Sequence, residues 1–87
     1  MEFEWDEAKR QLNLAKHGFD FAEVARFDWS AASIGRDLRF DYGEERFTAY
    51  GMLEDKLTVI VFTQRALATR IVSFRRANRK ERRIYGP

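Results

Sequence analysis

Leu57-Thr58-Val59-Ile60-Val61-Phe62-Thr63 is the run on which the fold turns. Its apolar residues fall on both parities of a two-residue repeat, so it reads as a strand covered on both faces, the central strand of a sheet. Two further β-type runs flank it, Arg46 to Leu53 and Thr69 to Arg76. Glu54-Asp55-Lys56 connects the first pair and Gln64 to Ala68 the second, lengths that suit antiparallel hairpins. The centre of the chain is therefore a three-stranded meander.

Helices bracket the meander. Met1 to Trp5 alternates Phe3 and Trp5 with Glu2 and Glu4, the pattern of a short strand with one buried face. Asp6 is an N-cap candidate for a helix reaching Lys16 or His17, with Gly18 ending it. On that helix Trp5, Ala8, Leu12 and Ala15 form the expected core stripe, while Arg10, Asn13 and His17 gather on a polar side. Asp20 and Glu23 have capping-box spacing before a second short helix, about Phe21 to Phe27. Ala31 to Ile34 is a candidate short strand, and the charged stretch Gly35 to Glu45 a loop or weak strand. Asn78 and Glu81 repeat the capping-box spacing and open a last helix to about Tyr85. The order β-α-α-(β)-β-β-β-α over residues 1–87 predicts one small α+β domain, an antiparallel meander with helices packed on one face.

With 45% apolar and 15% aromatic residues, the 87-residue chain can build a single core. It has no cysteine and one histidine, His17, which excludes thiolate and multi-histidine metal sites; no cofactor is expected. The acidic opening has no secretory pattern, and the longest apolar run, Val59 to Phe62, is far too short for a membrane span. The expected location is the cytoplasm. Charge is divided sharply: Arg65 to Pro87 carries a net +7 and the preceding residues −5. Clustered arginine attracts phosphate, so a polyanion partner is expected.

Within that basic tail, Ser73 and Arg75 take the open face of the last strand if Val72 and Phe74 face the core. Arg79 and Lys80 follow in the first turn of the last helix, where cations oppose the dipole unless an anion binds nearby. The bland reading of this surface is a seat for an acidic protein partner. His17 is either a helix-end cap or a catalytic group. Glu44-Glu45-Arg46 is a solvated edge or, facing the basic strand, a carboxylate beside a guanidinium. Tyr85 is either a stacking platform for a base or a core-edge aromatic. Phosphate loops of the Gly-rich kind and Ser-His-Asp sets are missing, so these residues alone reach a basic α+β domain and no enzyme.

Phe3-Glu4-Trp5-Asp6-Glu7-Ala8-Lys9, then Asn13-Leu14 and Lys16-His17-Gly18, resemble the opening of the BrnT family. The resemblance continues through Tyr42-Gly43-Glu44-Glu45-Arg46 and Gly51. It resumes at Arg70-Ile71-Val72-Ser73, Arg75-Arg76-Ala77, Arg79-Lys80-Glu81-Arg82 and Tyr85. BrnT-like proteins are ribonuclease toxins of type II toxin–antitoxin pairs with a RelE-like fold. What the resemblance implies is an RNA substrate and a ribbon-helix-helix antitoxin like BrnA, with operator DNA reached only through the antitoxin. It also implies a heterotetramer of two toxins and two antitoxins. The implied reaction is metal-independent attack of a ribose 2′-hydroxyl on the adjacent phosphate. Arg46 and Arg75 would stabilise charge, Glu45 or His17 would accept a proton, and Tyr85 or His17 would donate one. Lys16, Arg65, Arg76, Arg79, Lys80 and Arg82 would hold the RNA backbone. The competing expectation is a non-catalytic module that binds nucleic acid or an antitoxin through the same face.

Overall fold

The computed structural model describes residues 1–39 and 41–87. In chain order they form β1 (Glu2–Glu4), α1 (Glu7–His17), two 3-10 turns (Phe21–Arg26 and Trp29–Ala31), β2 (Ser33–Arg36), β3 (Phe47–Leu53), β4 (Lys56–Arg65), β5 (Ala68–Arg76) and α2 (Arg79–Tyr85). The five strands lie in the order β1-β5-β4-β3-β2, so the apolar run at Leu57 is the middle strand. β1 pairs parallel to β5 and every other pair is antiparallel. The result is a small mixed α+β domain. Its second predicted helix is the 3-10 segment Phe21–Arg26, and the further 3-10 turn Trp29–Ala31 was not expected. Among the described residues no helix is long and apolar enough to cross a membrane.

One face of the sheet carries the main core. Ala49, Ile60, Phe62, Ile71 and Phe74 meet Phe21, Val24 and Phe27 from the 3-10 segment, with Phe3, Trp5 and Trp29 at the margin. Strict alternation would send Ile71 and Phe74 to opposite faces. A register shift resolves this: Phe62 pairs with Ile71 and Val61 with Ser73, leaving Val72 as the extra residue of a bulge. Both large side chains then enter the core. Gly51 is required at its position, because a Cβ there would come within 2.5 Å of the Phe27 ring.

The helix α1 starts and stops where its caps predict. Asp6 accepts the Ala8 N–H, and Gly18 adopts the left-handed conformation at φ 76°. Apart from Trp5, which packs at the core margin, its inward side is the reverse of the expected one. Leu12 is 71% exposed, Ala8 and Ala15 are also exposed, and Asn13 is buried. The reason is the edge of β5. β1 pairs with β5 only as far as Arg70, leaving Phe74 without a neighbouring strand on that side. Asn13 replaces the missing peptide: its Nδ2 donates to the carbonyls of Phe74 (2.7 Å) and Phe19 (2.9 Å), and its Oδ1 accepts the Phe74 N–H (3.1 Å). Satisfying a buried backbone group outweighed burying one leucine.

α2 is on the other face, so the helices do not share one side. Tyr85 stacks on Tyr50, which belongs to the row opposite the Ala49 core. A second, smaller apolar cluster of Leu57, Val59 and Ala77, with Tyr50 and Met52 against it, lies on that face.

Candidate active site

Cross-strand register aligns two rows of side chains on the α2 face. Ser33, Tyr50, Val59 and Arg75 form one row across β2 to β5, and Gly35, Thr48, Val61 and Ser73 form the next. α2 covers one end of these rows. The segment Asp37 to Arg39 rises at the other, enclosing a cleft of about 360 Å³ lined by Thr48, Tyr50, Val61, Arg75, Glu81 and Tyr85.

Arg75 is the charged centre of the cleft. Its Nη1 and Nη2 donate to the two carboxylate oxygens of Glu81 at 2.8 and 2.9 Å. Glu81 is held from below: Oε1 also accepts the Asn78 N–H (2.8 Å), while Asn78 Oδ1 accepts the Glu81 N–H (2.8 Å). This is the predicted capping box, now joined to the sheet through an arginine. The Arg75 hydrogen bonds hold the Glu81 carboxyl below its ordinary range, and Glu81 raises Arg75 in turn. Tyr50 and Tyr85 stack beside the pair, with ring centroids 3.9 Å apart and planes within 5°. Burial pushes the Tyr50 hydroxyl up, and the neighbouring Tyr85 and Glu81 add to it. Arg39 is close enough for its charge to act on Tyr50, Arg75 and Glu81.

His17 ends α1 and lies within electrostatic reach of Arg75. Burial lowers its pKa first, and the charges of Lys16 and Arg75 lower it further, all favouring the neutral imidazole. Arg76, Arg79 and Lys80 are exposed where β5 passes into α2, and Lys16 is exposed beside His17. Arg82 turns back to donate to the Ala77 carbonyl (2.7 Å).

Glu45 and Arg46 stand elsewhere. They line a neighbouring hollow of about 420 Å³ that shares the wall Arg36 to Arg39 with the cleft. Glu45 pairs with Arg36 Nε (2.8 Å). Arg46 Nε meets Glu44 (3.4 Å), and its guanidinium lies 4.1 Å over the Tyr42 ring. Arg65 reaches the same Glu44 at 3.6 Å. The structure thus gathers Arg75 and Tyr85 in one cleft, leaves His17 outside its lining at the end of α1, and places Glu45 and Arg46 in the next hollow, which Arg65 reaches through Glu44. Among the described residues no group of His, Cys, Asp and Glu side chains is set to hold a metal ion.

A family model described as ribonuclease toxin, BrnT, of type II toxin–antitoxin system matches residues 5–81. The chain belongs to the BrnT family. No curated protein matches it. Membership makes it a member of a family of ribonuclease toxins, with an RNA substrate and an antitoxin partner. The matched span runs from Trp5 to Glu81 and so includes both Arg75 and the carboxylate that holds it.

For a BrnT protein the cleft offers a fixed positive charge, two phenols and an aromatic stack, the groups that stabilise an anionic phosphorus centre and hold a base. Sequence reasoning missed Tyr50, Arg39 and the role of Glu81. Tyr50 carries a signal, since it shares with Thr48 and Met52 the parity of β3 opposite Ala49. Glu81 shows in the sequence only as a cap, because nothing local indicates that its second partner lies six residues back on β5.

Proposed function

We propose that the Arg75 cleft is the RNA-cleaving site of a metal-independent ribonuclease toxin on a RelE-like scaffold. The observation that carries this reading is a half-buried arginine, held rigid from one side by Glu81, in a cleft lined by stacked tyrosines. The ribose 2′-hydroxyl attacks the adjacent phosphorus, forming a 2′,3′-cyclic phosphate and releasing the 5′-oxygen of the next nucleotide. Arg75 stabilises the charge that builds on the phosphoryl oxygens. Neutral His17 takes the 2′-hydroxyl proton and the Tyr85 phenol gives one to the leaving oxygen. His17 is preferred to Glu45 as the base because Glu45 is tied to Arg36 in the neighbouring hollow. Lys16, Arg76, Arg79 and Lys80 hold the flanking backbone.

A BrnA-like ribbon-helix-helix antitoxin covers this face, in a heterotetramer of two toxins and two antitoxins that reaches operator DNA through the antitoxin. The test is cleavage of a single-stranded RNA oligonucleotide by the purified protein in the presence of a chelator. Expected products end in 2′,3′-cyclic phosphate and 5′-hydroxyl, and a 2′-deoxy substitution at the cleaved nucleotide stops the reaction. Tight, salt-sensitive RNA binding with no cleavage would replace this reading by that of a binding module.

A further inference from the structure

We propose that Glu81 is a positioning residue that leaves Arg75 a single open fork, and that this fork takes one phosphate of the RNA chain. The proposal rests on the cleft being the cleavage site and adds how its arginine is aimed. A guanidinium has five N–H donors. Nη1 and Nη2 each give one to Glu81, and the other Nη1 donor points to the Arg76 carbonyl at 3.3 Å. What remains without a partner among the described residues is Nε–H and one Nη2–H, side by side in one plane, the edge that matches two phosphate oxygens.

The other arginines of the two hollows lack this edge. Arg39 commits Nε and Nη2 to Asp37, Arg36 commits Nε to Glu45, and Arg46 directs Nε to Glu44. Glu81 can hold its partner still because it is itself held. Its side chain is 14% exposed, and the Asn78 backbone N–H, which does not depend on the Asn78 side chain, holds its Oε1 from the helix side. The device therefore links the first turn of α2 to the pose of Arg75. Such a fork registers the backbone and reads no base.

The experiment compares single-turnover cleavage and binding of one labelled RNA oligonucleotide by the full chain and its variants. Glu81→Gln keeps an oxygen for the Asn78 N–H but turns an amide towards Arg75. Cleavage should fall about 10–100-fold, the penalty of a misaimed catalytic group. RNA binding should hold or tighten, because the face gains one unit of positive charge. Asn78→Ala breaks the cap and spares the Arg75 pair, so it should lower the melting temperature with cleavage within about three-fold of wild type. Arg75→Lys should lose about as much as Glu81→Gln, and the double variant should lose little more.

Wild-type cleavage in Glu81→Gln, faster cleavage (which would make Glu81 a brake), equal losses in Glu81→Gln and Asn78→Ala, or independent multiplication with Arg75→Lys would each overturn the proposal. Full activity in Arg75→Ala would instead remove the cleft reading itself. An inactive Arg75→Ala beside a fully active Glu81→Gln would remove this inference alone.

Discussion

The two hollows that share the wall Arg36 to Arg39 hold similar side chains and differ in what those side chains have left to give. In the hollow of Glu45 and Arg46 each arginine has its Nε on a carboxylate, and Arg46 also covers the Tyr42 ring. In the cleft of Arg75 the carboxylate takes the end of the guanidinium and leaves its side free. Counting arginines does not distinguish the two places. The partition of donors does, because a bidentate phosphate contact needs two parallel N–H groups and no more.

The sharpest way to break this contrast is to remove one arginine from each hollow. Arg75→Ala should cost about 10²–10³-fold in cleavage, the usual loss when one preorganised donor to a developing charge is deleted. Arg46→Ala should stay within about five-fold, since its charge is already balanced at the surface. Single-turnover rates on one RNA oligonucleotide decide it; a larger loss for Arg46→Ala would exchange the roles of the two hollows.

Next in size is the aromatic pair. Tyr85→Ala should weaken RNA binding by about 1–3 kcal/mol if a base stacks on its outer face, and Tyr85→Phe should restore that binding. The two variants should nevertheless share a slow cleavage step if the phenol is the proton donor. Recovery of both binding and rate in Tyr85→Phe would leave stacking as the whole role of the residue.

The parts of this fold that were legible are those set by neighbours in sequence. The caps made by Asp6, Gly18, Asn78 and Glu81 reach no more than four residues along the chain, and the two-sided run at Leu57 announces a central strand without reference to anything else. The parts that were not legible depend on where a strand ends. Asn13 faces inward only because β1 stops pairing at Arg70, and Ile71 joins Phe74 in the core only because Val72 is a bulge. The candidate site divides in the same way. Arg75 was readable from strand parity, whereas its neighbours Tyr50 and Arg39 arrive through register and through an aperiodic charged loop.

A smaller effect tests whether His17 belongs to the Arg75 side of the contrast. As the only histidine it gives one clean imidazole titration by NMR. Its pKa should lie below the ordinary 6.5 in the wild type and move up in Arg75→Met, because one of the three causes that depress it is the Arg75 charge. In Arg46→Met it should not move. For activity, a His base that must be neutral gives a rate that falls as pH drops through that lowered pKa. A titration indifferent to Arg75 would separate His17 from the cleft.

The smallest expected effect comes from converting one kind of arginine into the other. Asp37, with a side chain only 3% exposed, accepts Arg39 Nε (3.0 Å), Arg39 Nη2 (3.0 Å), the Arg39 N–H (3.2 Å) and the Tyr42 hydroxyl (3.2 Å). The Arg39 hydrogen bonds bring its carboxyl down to about 2 from 3.8. A depressed folded-state pKa stabilises the fold above the unfolded value, and that contribution drains away as pH falls from about 4 to about 2. Asp37→Asn should therefore cost about 1 kcal/mol at pH 7, a modest figure because Arg39 is mostly in solvent and screened. Urea unfolding of both proteins should converge near pH 2, where the wild-type carboxyl is protonating too. Asp37→Ala, which removes both acceptor oxygens, frees the Nε–Nη2 edge of Arg39 and gives it the donor pattern of Arg75. If open forks are what hold phosphate here, Asp37→Ala should bind RNA with a salt dependence steeper by about one phosphate contact, despite being the less stable protein. A stability gap that persists undiminished at low pH would mean that the ion pair is not its source, and an unchanged salt slope would mean that an arginine in this wall needs more than a free edge to take a phosphate.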